Sequence, residues 1–139
     1  MLKTREPFEP PGPKVLVTGR SEPVHVDDTT FEEEVIRSPT PVVVDFYADW
    51  CAPCRNVEPV LAEMSARLAG RIKFARVNVD ESVVVVRSYG IHSIPTYLFV
   101  ASGTERGREV GPLDPVALRA TLRRYFPTGD ASGGTPASR

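Results

Sequence analysis

Asp45-Phe46-Tyr47-Ala48-Asp49-Trp50-Cys51-Ala52-Pro53-Cys54 is the stretch on which the reading of this chain turns. Both cysteines of the protein lie in it, two residues apart. Upstream, Pro41-Val42-Val43-Val44-Asp45-Phe46-Tyr47 is apolar on both alternating faces, as in a central strand of a sheet covered on both sides. Asp45 interrupts that run. Downstream, Val57, Leu61, Met64 and Leu68 recur at intervals of four, three and four. They form one face of an amphipathic helix, stopped at Gly70, and Pro59 inside it should kink it. Cys51 therefore stands where a strand passes into a helix. Free backbone N–H groups and the positive end of the helix dipole favour a thiolate there. Cys54 follows one turn later on the same side, placed to attack a mixed disulfide formed at Cys51. Ala52-Pro53 fixes the turn, because proline has no N–H to leave unsatisfied and its φ suits a first helical turn. A strand before the pair and a helix after it is the context of a redox motif. The competing readings are an inert pair of core cysteines and a metal half-site completed in a dimer. Two cysteines alone do not close a structural zinc site, which takes four ligands.

At 139 residues the chain is the length of one domain. Its apolar and charged fractions, 41% and 25%, are those of an ordinary globular protein. A net charge of −1 gives no global field to attract nucleic acid or an anionic membrane. The longest apolar runs, such as residues 97–101, fall far short of the ~20 residues of a membrane span. Lys3 and Arg5 are followed by prolines rather than an apolar run, so no signal peptide is expected and the cytosol is the expected compartment. In that compartment a cysteine pair is more often catalytic or metal-binding than a permanent staple.

Residues 1–20 carry Pro7, Pro10, Pro11 and Pro13 among charges and read as a flexible or partly extended arm. Val15-Leu16-Val17 and Val24-His25-Val26 are short β-prone pieces, either of which suits an edge strand. Asp28-Thr29-Thr30 opens a helix in which Thr30 and Glu33 fit a capping box and Phe31 and Val35 an apolar stripe; Pro39 ends it. Residues 72–79 alternate as a strand. Residues 82–89 are ambiguous: four consecutive valines favour a strand, whereas Asp80-x-Ser82 resembles a helix start. Residues 90–95 form a loop, 96–100 a strand, Ser102-Gly103 a hairpin turn and 105–110 its partner strand. Asp114-Pro115 caps a last helix with Leu118, Leu122 and Tyr125 on its apolar face. Arg119, Arg123 and Arg124 load its end as a solvated face. The Gly/Ser/Thr/Pro-rich residues 128–139 read as a disordered tail, which leaves 21–127 as the domain.

Trp50-Cys51-Ala52-Pro53-Cys54, Asp45 six residues before Cys51, Pro59, Ile94-Pro95-Thr96, Gly103 and Gly111 together resemble the thioredoxin family over residues 25–126. The words Cys54-Arg55-Asn56 and Ser93-Ile94-Pro95 are closest to the second bacterial thioredoxin type, without that type's N-terminal four-cysteine zinc module. The resemblance implies an α/β thioredoxin fold: a central mixed sheet of four to five strands flanked by helices on both faces. It makes the valine run a helix. It implies a protein-disulfide reductase contributing to cell redox homeostasis. Cys51 would be the nucleophile, Cys54 the buried resolving thiol, and Asp45 a buried carboxylate taking a proton when Cys54 attacks. A desolvated Asp suits that task, because burial raises its pKa; a purely structural hydrogen-bonded Asp is the plainer alternative. Arg76 falls where the family often has Lys near that Asp, and a cation there would oppose the raised pKa. Pro95 would be cis. Ile94 would pair with the substrate backbone, and Trp50, Ala52, Pro53, Ile94, Pro95 and Gly111 would form the contact surface. Trp50 would otherwise read as a core aromatic, His92 as an exposed loop residue within reach of partners, and His25 and Met64 as scaffold. Ala52 in place of the usual Gly, and Tyr47 in place of a frequent Trp, depart from the family pattern.

No bound cofactor or metal is implied. Electrons would come from NADPH through a flavin-dependent thioredoxin reductase. Targets by resemblance are ribonucleotide reductase, peroxiredoxin and methionine sulfoxide reductase, with no nucleic acid or membrane partner, and the protein would be a monomer. Two other readings stay open: a disulfide oxidase or isomerase of the same fold, and a non-catalytic binding module. Strong oxidants of the fold usually carry His between the cysteines and are exported, unlike Ala52-Pro53 here.

Overall fold

A computed structural model describes residues 22–127. The expected arm at 1–20, with Val15-Leu16-Val17, and the expected tail at 128–139 lie outside them. The chain runs β1 (Val24–Val26), a short helical turn (Glu32–Ile36), β2 (Val42–Tyr47), α1 (Ala52–Arg67), β3 (Lys73–Asn78), α2 (Val83–Ser88), β4 (Thr96–Ala101), β5 (Thr104–Val110) and α3 (Pro115–Tyr125). The five strands form one sheet in the order β1-β3-β2-β4-β5. β1, β3 and β2 are parallel, and β4 and β5 are antiparallel.

β2 is central because its six residues are all buried, which only an inner strand covered on both faces allows. Alternation then divides its side chains. Val42, Val44 and Phe46 face Phe31 and Val35 of the first helical turn and Val85 of α2. Val43 faces the other way, against Val57, Leu61 and Met64 of α1 and Leu118 and Leu122 of α3. Asp45 and Tyr47 share Val43's side by the two-residue period of the strand.

The valine run is helical. Asp28 fixes its start by accepting from the amides of Val84 and Val85 at 3.1 and 2.9 Å. That long-range cap outweighs the β-propensity of Val. The same use of Asp28 corrects the first helix. The reciprocal cap lies three residues earlier than the expected Thr30/Glu33 box: Asp27 Oδ1 accepts from the Thr30 amide at 3.2 Å, and Thr30 Oγ1 accepts from the Asp27 amide at 3.0 Å. The turn it opens is π-helical, closed by the Arg37 amide on the Glu32 carbonyl at 2.9 Å. α1 runs through Pro59 as one helix, and the carbonyl of Arg55 forgoes the bond a proline cannot donate. The β4–β5 turn is Ser102-Gly103, both at positive φ (53° and 77°), the conformation a two-residue hairpin turn requires.

Candidate active site

Cys51 is the N-cap of α1, with extended backbone angles, and its sulfur accepts from the Cys54 amide at 3.2 Å. The two sulfurs are joined as a disulfide, with Cα atoms 5.3 Å apart. Cys51 and Cys54 are buried and pack with Tyr47, Ala48, Val79 and Ile94, whereas Ala52 and Pro53 between them are exposed. The pair thus sits at the carboxyl end of the central strand, under an open rim.

The cis peptide Ile94–Pro95 brings Ile94, half-buried, against the cysteines. The carbonyl of Pro95 accepts from the amide of Gly111 at 2.8 Å, which ties the β5–α3 loop to the same rim. Gly111 holds φ +100°, a conformation a side chain would strain. Trp50 is no core aromatic. It is 68% exposed, and its indole N–H donates to Asp80 Oδ2 at 2.9 Å. His92 is exposed two residues before Ile94, and His25 sits edge-on to Tyr47 from β1.

Asp45 is buried on the sheet face that α1 covers. Its Oδ2 accepts from Arg76 Nε at 3.0 Å. Arg76 in turn donates through its NH2 group to Glu58 Oε2 at 3.2 Å and lies 3.8 Å over the ring of Tyr47. Burial raises the Asp45 pKa most, Arg76 lowers it, and Glu58, the smallest of the influences, raises it, leaving it at about 6. The guanidinium therefore tempers the shift that desolvation imposes without cancelling it. Directly across the β2–β4 pairing stands Tyr97, fully buried, whose hydroxyl has no hydrogen-bond partner among the described residues. Burial, then the Asp45 charge, pushes its pKa up.

The family model for thioredoxin matches residues 22–124. The chain belongs to the thioredoxin family. It is 43% identical over 101 residues to thioredoxin 1 of Nostoc, an alignment covering 73% of this chain and 94% of that one. It is 38% identical over 106 residues to a thioredoxin of Haemophilus influenzae, covering 76% and 99%. A point variant of thioredoxin from Halobacterium salinarum superposes with a TM-score of 0.70 at 31% identity, covering 78% of this chain and 95% of that one. Thioredoxins are protein-disulfide oxidoreductases without a bound cofactor, and this protein is a disulfide reductase of that family. Among the described residues no cluster of His, Cys, Asp and Glu could hold a metal ion, and no helix is long and apolar enough to cross a membrane.

Three residues of this site are not expected in it from the sequence, where Asp80 reads as part of a helix start. Asp80 holds Trp50, Glu58 holds Arg76, and Tyr97 faces Asp45. Only Glu58 left a signal: it is four residues after Cys54, on the same helical face.

Proposed function

We propose that Cys51 is the attacking thiolate, Cys54 the resolving thiol and Asp45 the proton acceptor of a cytosolic protein-disulfide reductase. The observation that carries this is Cys51 at the N-cap of α1, with Cys54 one turn on and a buried carboxyl on the sheet face beneath that helix. The Cys51 thiolate attacks one sulfur of a target disulfide. A mixed disulfide forms, and the other target sulfur leaves and takes a proton. Cys54 gives its proton to Asp45, a carboxyl whose pKa of about 6 suits exchange near neutrality. The Cys54 thiolate attacks the Cys51 sulfur, and the second target sulfur leaves as a thiolate and takes a proton. Two electrons have passed to the target, and the Cys51–Cys54 disulfide remains.

Trp50, Ala52, Pro53, Ile94, Pro95 and Gly111 form the contact surface, with the backbone at Ile94 pairing with an extended target segment. Exposed Trp50 beside exposed Ala52 and Pro53 supports this. Electrons return from NADPH through a flavin-dependent thioredoxin reductase, and the targets include ribonucleotide reductase, peroxiredoxin and methionine sulfoxide reductase. The cytosol suits a dithiol that must be reduced to act.

The test is turnover and capture. Wild-type protein should reduce insulin with dithiothreitol, and Cys51→Ser should abolish it. Cys54→Ser should accumulate mixed disulfides with targets in an extract; a Cys51→Ser variant that accumulates them equally would sink the assignment. Equilibration with glutathione should place the reduction potential near about −270 mV, whereas a value of about −180 mV or above would indicate an isomerase or oxidant.

A further inference from the structure

We propose that Glu58 is a positioning residue for the proton transfer at Asp45, holding the far side of the Arg76 guanidinium so that the cation stays paired when Asp45 becomes neutral. The inference rests on the reading of Asp45 as proton acceptor.

Arg76 is only 12% exposed at its side chain, and it bridges two carboxylates. Nε holds Asp45 at 3.0 Å, while the NH2 group holds Glu58 at 3.2 Å. Removing one charge of a buried pair leaves the other uncompensated, at a large cost. With Asp45 as its sole partner, Arg76 would meet that cost each time Asp45 took a proton, which would bias the carboxyl toward its ionised form. Glu58 removes the conflict. It reaches in from α1 with its side chain 43% exposed, so it keeps solvent contact while partnering the guanidinium. The Tyr47 ring lies under the cation and supports it in both states.

The remaining groups on this face do not substitute for Glu58. From β1, His25 stands beside Arg76 in register and meets the Tyr47 ring. From β4, Tyr97 offers a neutral hydroxyl. From α1, Cys51 and Cys54 are the reacting pair. Of the buried α3 residues, Leu118 and Leu122 are apolar and Thr121 donates to the Ala117 carbonyl at 2.8 Å. From β5, Glu109 lies in the same row beyond Tyr97 and is held by the Tyr125 hydroxyl at 2.9 Å and by Arg124 at 3.5 Å. The nearby Asp49 and Glu81 carboxylates act on Tyr47.

The experiment is a carboxyl-carbon NMR titration of Asp45 in the full chain, as wild type, Glu58→Gln, Arg76→Gln and the double variant. Glu58→Gln should move the Asp45 midpoint down by about one pH unit, tenfold in proton affinity, because Arg76 is then left to Asp45 alone. In the Arg76→Gln background the same change should move it little, since the linkage has gone. An unmoved midpoint in Glu58→Gln, or an equal shift without Arg76, overturns the inference. Resolution kinetics of the mixed disulfide, followed against pH, test the underlying reading separately. Glu58→Gln should shift that profile in step with the NMR midpoint. An Asp45→Asn variant that resolves at the wild-type rate and pH profile would remove the role of Asp45 and the catalytic meaning of Glu58 with it.

Discussion

The two faces of the sheet are built from the same strands and do different things. On one, Val42, Val44 and Phe46 of β2 pair with Ala75 and Val77 of β3 and with Val100 and Leu98 of β4. Its charged groups stand at its margins: Lys73 reaches Glu34 at 2.6 Å, and on the edge strand β5 Arg108 meets Glu105 at 2.8 Å. On the other, Val43, Phe74 and Phe99 are apolar, but the next register row is Arg76, Asp45 and Tyr97. A step of two residues along each strand turns a dry core into a charged row beneath the cysteines. Apolar burial gains free energy wherever it occurs. A buried carboxyl does not, and it is kept here where α1 carries the cysteines. Both faces bury an apolar core, and the α1 face also buries a carboxyl.

That contrast can be broken experimentally. The largest effect should come from the apolar face. Phe46→Ala should cost about 3–5 kcal/mol in urea unfolding, equally at pH 5 and pH 8, because it removes a fully buried ring and no titratable group. A strongly pH-dependent loss would mean that the two faces are not independent.

Next, Asp45→Asn should stabilise the protein at pH 8. The native pKa is raised from 3.8 to about 6, so between those values the native state binds more protons than the unfolded chain. Stability therefore falls as pH rises through that window. The gain from removing the charge should be about 3 kcal/mol above the window and vanish below about pH 4. A variant less stable than wild type at pH 8 would show that the Arg76 contact outweighs burial.

At the far edge of the same face, a Cβ on Gly107 would lie 2.1 Å from the ring of Tyr125. Gly107→Ala should cost about 1–3 kcal/mol, read from the same unfolding curves. Thermal unfolding unchanged from wild type would mean that Tyr125 swings clear. The smallest effect belongs to Tyr97→Phe. It removes a buried hydroxyl that meets no partner among the described residues, so it should be neutral or stabilising by about 1 kcal/mol. A loss of that size would show the hydroxyl to be satisfied in solution and the charged row to extend into β4.

Much of this was legible in the chain itself. β2, α1, the hairpin and α3 follow from period, caps and turn residues, and Asp114 caps α3 as its position beside Pro115 predicts, accepting from the Ala117 amide at 2.7 Å. The errors share one cause. Asp27, Asp28 and Thr30 all suit an N-cap, and local sequence does not say which backbone each will meet. Asp28 serves α2, 56 residues away, and the cap of the first turn moves to Asp27 accordingly. The valine run was undecided for the same reason: its cap lies in a distant segment.

By itself, then, the sequence determined the redox pair and its place, because a Cys-x-x-Cys between a buried strand and a helix is a local pattern with a local consequence at a helix N-terminus. Only the tertiary structure decided the electrostatics behind the pair. Asp45, Arg76 and Glu58 come from β2, β3 and α1, and their meeting depends on strand order and register. Burial and charge act through distances in space, and spacing along the chain does not carry them.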